Sequence, residues 1–194
     1  MDYTKNNQKE ILNWLQSNLD NERLSHSIGC AQTAVELAKK FGQDEEKAYL
    51  AGLLHDCAKG FKTEKLLEMI KQHLPEVDEC EISNPKTLHA PVSAYIARNE
   101  FGVEDEEILS AIRWHTLGKV DMTKFEKIIF LADKIEPNTR DLEYRENMLK
   151  VLENDDDLNK ALLICYKETI KSLVKRNLKI CQPTIDIYNS LQKG

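Results

Sequence analysis

Thr123–Pro137, TKFEKIIFLADKIEP, reads as one helix with one residue out of keeping. Thr123 and Glu126 have the spacing of a capping box, in which hydroxyl and carboxylate satisfy each other's backbone donors. Ile128, Ile129 and Ala132 recur at steps of three and four, the stripe of an amphipathic helix. Pro137 ends the run because proline cannot continue the hydrogen-bond ladder. The exception is Asp133, four residues after Ile129 and therefore inside the apolar face. A buried, unpaired carboxylate is costly, so Asp133 needs a partner from elsewhere in the chain.

The same period runs outward from this segment. Ile11, Leu15 and Leu19 predict a first helix. Ser25 is placed to cap a second, with Ile28, Ala31, Val35 and Ala38 on its apolar side and Gly42 past its end. Asp44, Glu45 and Glu46 open a third, their charge suiting the helix dipole. It carries Ala48, Ala51 and His55 and runs on to Gly60. Thr63 opens a fourth, bearing Leu66, Leu67 and Ile70, which stops before Pro75. Residues 75–85 read as an acidic, proline-bounded loop. Further helices are expected over about 87–101, 105–116, 142–153, 158–178 and 184–192, with the acidic turn NDDD at 154–157. No strand-like alternation, internal repeat or low-complexity linker appears. The fold class is all-α, in a single domain over 1–194.

Composition narrows the function. A chain of 194 residues suits one well-buried domain. With 41% hydrophobic and 31% charged residues it has the make-up of a soluble globular protein. No apolar run approaches the length of a membrane span, and the first twenty residues lack the basic-then-apolar pattern of a signal peptide. Cys30, Cys57, Cys80, Cys165 and Cys181 form no CxxC pair, which suits reduced thiols in a cytoplasm. A net charge of −6 without a basic tract makes extended DNA or RNA a poor first guess as partner. A small anionic ligand stays open, since a metal ion reverses the local field.

Four of the five histidines share the peculiarity of Asp133. His26, His55, His89 and His115 fall on separate predicted helices, each beside an apolar stripe, whereas His73 in IKQHLPE reads as exposed. One such histidine is usually a hydrogen-bonded core residue. Four of them, with Asp133 and the Asp56 of LLHDC, require six separate satisfactions or one shared divalent cation. Imidazole nitrogen and carboxylate oxygen suit zinc, manganese, iron or cobalt. Periodicity alone leaves both readings open.

The order of these residues goes further. RLSHSIGCA, LLHDCAKG, LHAPVSAY, AIRWHTLG and KIIFLADKIEPNTR span Arg23 to Arg140. Together they resemble the HD superfamily of metal-dependent phosphohydrolases, and more closely its YqeK-type branch, the symmetrical diadenosine tetraphosphate hydrolases. One departure is Ser93, where that pattern has a glycine; no ligand is lost. The resemblance implies a phosphodiesterase-like helical bundle with a motif core over about 18–140 and helices of 141–194 packed on it.

The resemblance also implies two divalent transition-metal ions, iron foremost, with manganese, cobalt or zinc accepted. The first would be held by His26, His55, Asp56 and Asp133, the second by Asp56, His89 and His115. A hydroxide on such a pair attacks phosphorus in line, so Asp56 is catalytic and Cys57 is packing. Lys59 belongs to the same HDxAK pattern and is expected to act on phosphate. Thr116, Gly118 and Lys119 follow a ligand and are expected to meet phosphate through hydroxyl, close backbone and charge. Arg140 is placed to grip it with two donors, Arg23 and Ser27 flank His26, and Glu136 is a candidate acceptor behind a ligand. The implied activity is cleavage of diadenosine tetraphosphate to two ADP. Two alternatives are another HD phosphohydrolase, acting on a nucleotide, cyclic nucleotide or guanosine polyphosphate alarmone, and a non-catalytic helical signalling scaffold. The expected partner is a small nucleotide, with no nucleic acid and no membrane; a homodimer is left open.

Overall fold

The computed structural model describes the backbone of residues 5–155 and 157–192. Among them are eleven helices and no strand: α1 (Lys5–Asn18), α2 (Asn21–Phe41), α3 (Glu45–Leu54), α4 (Thr63–His73), α5 (Glu79–Ile82), α6 (His89–Asn99), α7 (Glu106–Trp114), α8 (Lys124–Ile135), α9 (Leu142–Asp155), α10 (Leu158–Lys175) and α11 (Gln182–Leu191). The all-α expectation holds. No helix among the described residues is long and apolar enough to cross a membrane.

The central element is α8. Nine of its twelve residues are buried, Asp133 among them. It starts at the expected capping box, with Thr123 and Glu126 each accepting the other's backbone N–H. Helices α2, α3 and α7 pack against it on the side that carries the histidines, and α6 packs on α7. The α2–α3 crossing is close because residue 52 is glycine: a Cβ there would lie 2.7 Å from the Ala31 Cα. Overpacking of this kind costs about 1–3 kcal/mol. That contact brings His26 and His55 to one place. Against α8 also lie α9 and α10, where Phe130 and Tyr166 stack with centroids 5.6 Å apart. Such a pair adds about 0.5–1.5 kcal/mol beyond its area burial.

Several boundaries differ from the sequence reading. Asp20, not Ser25, caps α2, accepting from the Arg23 N–H, so Ser25 lies inside the helix. α3 stops at Leu54 rather than running to Gly60, and 55–60 continue as tight turns: Cys57 N bonds Leu54 O at 3.1 Å and Lys59 N bonds Asp56 O at 2.9 Å. The 75–85 loop contains the single turn α5, capped by Asp78. Residues 1–4 of the N-terminal stretch and Asp156 of the NDDD turn lie outside the described residues. Cys80 and Cys181 form a disulfide with Cα atoms 6.1 Å apart, while Cys30, Cys57 and Cys165 are free and buried. The sequence reading did not pair these two. Sequence spacing does not say which segments the fold lays side by side.

Candidate metal centre

His55 and His115 reach the site by the same local device. Each caps the end of a helix, α3 and α7, and each Nδ1 lies 2.7 Å from the carbonyl three residues back, Gly52 O and Ile112 O. A carbonyl only accepts, so both Nδ1 atoms are N–H donors and both Nε2 atoms keep a lone pair in the neutral ring. His26, on α2, is fixed differently: its Nδ1 donates to the buried carboxylate of Glu136 at 3.0 Å. His89 opens α6.

The freed nitrogens converge on Asp56, which is fully buried. Its Oδ2 lies 3.5 Å from His26 Nε2 and 3.4 Å from His55 Nε2. Its Oδ1 lies 3.0 Å from His89 Nε2 and 3.3 Å from His115 Nε2. Asp133 Oδ1 completes the first set, 3.0 Å from His26 Nε2 and 3.7 Å from His55 Nε2. The six side chains therefore form two groups sharing one carboxylate: His26, His55, Asp56 and Asp133, and Asp56, His89 and His115.

These donors fit divalent cations. Bonds of about 2.0–2.2 Å put neighbouring donors of one ion about 3.0–3.6 Å apart, close to the spacings found here. His26 and His55 Nε2 face each other at 3.2 Å with both Nδ1 hydrogens already committed, an arrangement a cation relieves. Asp56 Oδ1 is buried with only the His89 and His115 Nε2 atoms facing it. Burial pushes His115 down to about 3, so its ring is neutral, as a ligand must be. Burial opposes the charge on Asp56, but His55, His115 and His89 outweigh it and hold the carboxyl well below the usual range. Burial pushes the Cys57 thiol up to about 12, which leaves it protonated and unsuited to nucleophilic attack.

The HD-domain family profile matches residues 23–138. The chain belongs to the HD-domain family. It is 39% identical over 188 residues to the symmetrical bis(5'-nucleosyl)-tetraphosphatase of Bacillus subtilis (strain 168), covering 97% of this chain and 99% of that one. To the protein of the same name from Staphylococcus aureus (strain NCTC 8325 / PS 47) it is 36% identical, covering 88% and 87%. A crystal structure from Clostridium acetobutylicum, described as a "predicted HD superfamily hydrolase involved in NAD metabolism", superposes with a TM-score of 0.90 at 37% identity, over 96% of this chain and 97% of that one. The resemblance read from the motif order is thus borne out.

Over Asp56 opens a cavity of about 280 Å³ lined by His26 and Asp56, by the cations Arg23, Lys59 and Arg140, by Thr139, and by the acidic Asp20 and Glu22, of which Asp20 pairs with Arg23 at 3.4 Å. Lys59 Nζ is 2.7 Å from Asp56 Oδ2. Arg140 commits two donors to Asp133, Nε to the backbone carbonyl and Nη2 to Oδ1, both at 2.7 Å. Its fork is therefore anchored to a ligand rather than wholly free for phosphate. The Thr116 hydroxyl lies 2.9 Å from His115 Nε2 and 3.2 Å from His89 Nε2, beside the second group.

Besides Thr116, three expected contacts are not brought to this mouth. Ser27 has no exposed surface and its hydroxyl has no hydrogen-bond partner among the described residues. Lys119 pairs with Glu126 of α8 at 2.7 Å and lines a different cavity. Gly118 is glycine for a reason other than phosphate approach: its φ is +71° and a Cβ would strike the Tyr166 hydroxyl. That hydroxyl donates to Leu117 O at 2.6 Å, propping the loop after His115 from α10.

Thr139 went unread in the sequence, although it lies between Glu136 and Arg140. Ser93, the departure from the family pattern, accepts from Ala58 N at 3.1 Å and so braces the turn that follows the HD pair. A glycine cannot make that bond.

Proposed function

We propose that this HD-domain chain hydrolyses diadenosine tetraphosphate symmetrically, giving two ADP, with two divalent transition-metal ions, iron foremost, in the two side-chain groups. The observation that carries the reading is the division of Asp56, one oxygen toward each group, at the floor of a mouth that Lys59, Arg140 and Arg23 also line. When bound, such a pair of ions would supply Lewis acidity and an activated water. His26, His55 and Asp133 would hold one position, His89 and His115 the other, and Asp56 would serve both.

The cations of the mouth suit phosphate. A cavity of about 280 Å³ is at the small end for a ligand site, so it takes part of the polyphosphate chain while the nucleosides lie outside. Arg23, Lys59 and Arg140 offset the charge of that chain. Lys59, held against Asp56 at 2.7 Å, is placed to act on phosphate beside the shared carboxylate. Cys57 is protonated and buried, so the chain's own part is to bind, orient and neutralise rather than to form a covalent intermediate. A cytoplasmic location belongs to this proposal, as the compartment in which nucleotides turn over.

Product analysis tests it. Purified protein with added Fe²⁺, Mn²⁺, Co²⁺ or Zn²⁺ is expected to convert diadenosine tetraphosphate to ADP alone. AMP with ATP would overturn symmetrical cleavage. No turnover with any of these ions, alongside hydrolysis of a cyclic nucleotide or a guanosine polyphosphate, would move the substrate elsewhere within the family.

A further inference from the structure

The two groups of side chains are not equivalent, and the difference traces to a residue outside both. The first group offers four donors, including the carboxylates of Asp56 and Asp133. The second offers three, and its only carboxylate is the shared Asp56. The backing of the histidines differs too. His55 and His115 donate to neutral carbonyls, Gly52 O and Ile112 O, whereas His26 donates to the carboxylate of Glu136. A full negative charge behind an imidazole raises the basicity of the far nitrogen more than a carbonyl dipole does.

Glu136 is itself held rigidly. It has no exposed surface, and it accepts from Asn138 N at 2.7 Å and Thr139 N at 2.9 Å as well as from the Thr139 hydroxyl. Gly29, one turn after His26 on α2, leaves it room, since a Cβ there would meet Glu136 Oε2. The chain thus spends a glycine, two backbone donors and a hydroxyl on setting one carboxylate behind one ring.

We propose that Glu136 is a positioning residue that orients His26 and strengthens it as a donor, so that the His26–His55–Asp56–Asp133 group takes its cation more tightly than the Asp56–His89–His115 group. The first position is then filled and retained, and the second fills as the free cation concentration rises. This rests on the metal-binding reading of the site.

Calorimetric titration of the metal-stripped protein with Mn²⁺ tests it. The wild type is expected to bind two equivalents in two resolved steps. Glu136→Gln should weaken the tight step about 10–100-fold and leave the weak step within about threefold. Glu136→Asp, which keeps the charge, should recover part of that loss. His115→Ala should abolish the weak step and leave the tight one. If Glu136→Gln does not fold, as judged by circular dichroism, Glu136→Asp and His115→Ala decide. Two indistinguishable steps in the wild type, or loss of the tight step in His115→Ala, would overturn the inference. So would an unchanged tight step in folded Glu136→Gln. No binding at all would instead sink the metal-centre reading beneath it.

Discussion

Replacing Ser27 by alanine should make this protein more stable. The side chain is fully buried on α2 and its hydroxyl has no hydrogen-bond partner. A buried, unsatisfied hydroxyl costs about 1–3 kcal/mol relative to its hydrated state. Alanine removes that cost and also improves helix propensity by about 0.5 kcal/mol. Against this stands the small void left by one oxygen, a few tenths of a kcal/mol. The net expectation is a gain of about 1–3 kcal/mol, which for a chain of this length raises Tm by about 3–10 °C. Urea unfolding followed by far-ultraviolet circular dichroism measures it, with a thermal melt as the second readout. The kcat should stay within twofold, because Ser27 has no surface with which to touch substrate. A variant less stable by 1 kcal/mol or more would mean that the hydroxyl is bonded in the folded protein. A large fall in kcat with stability intact would return Ser27 to the substrate contacts expected from its place beside His26.

Other outcomes follow from the same geometry. Asp56→Asn should lose cation binding at both positions, since its two oxygens serve one group each. Removing one partner from a buried charged set costs about 3–5 kcal/mol, or roughly 10²–10⁴ in affinity, and retention of one ion at wild-type affinity in a metal titration would show that the carboxylate is not shared. Lys59→Ala should lower kcat/KM at least tenfold with metal content unchanged, while Lys119→Ala should lower Tm and leave turnover within twofold; the reverse pattern in steady-state assays would exchange their roles. Glu126→Gln should destabilise the fold by about 1–3 kcal/mol at pH 7, because the buried carboxylate is bonded to Thr123 N, Ser110 and Lys119. Burial opposes its charge, but Lys119 and Ser110 bring its pKa below the ordinary 4.5. Its contribution is therefore complete above that value and is lost as pH falls through the lower folded-state pKa. The gap between wild type and variant should be constant from pH 7 to about 5 and close in more acid solution. A gap that widens there would refute the assignment.

Lys59 and Lys119 show why part of the site could be read and part could not. Each lies four residues after a ligand histidine, His55 and His115, so spacing treats them alike. In the folded chain Lys59 reaches Asp56 and Lys119 reaches Glu126 of α8. The choice belongs to whichever acidic group the neighbouring helix presents. Ser25 and Asp20 are a similar case: both are good caps, and the helix starts at the earlier one. Glu136 was recognisable as a candidate acceptor, yet its partner is His26, 110 residues away.

The sequence by itself determined the helical class, most helix positions and the set of residues able to hold metal. Apolar period, capping pairs and prolines are local properties, and the order of the six polar residues along the chain marks them as one set through its resemblance to the HD pattern, wherever the helices lie. Only the tertiary structure decided that the oxygens of Asp56 face two different groups, that Cys80 meets Cys181, and which of two equally spaced lysines looks into the mouth. Those are outcomes of helix packing, set by contacts such as Gly52 against Ala31, and no period along the chain encodes the identity of a neighbour a hundred residues distant.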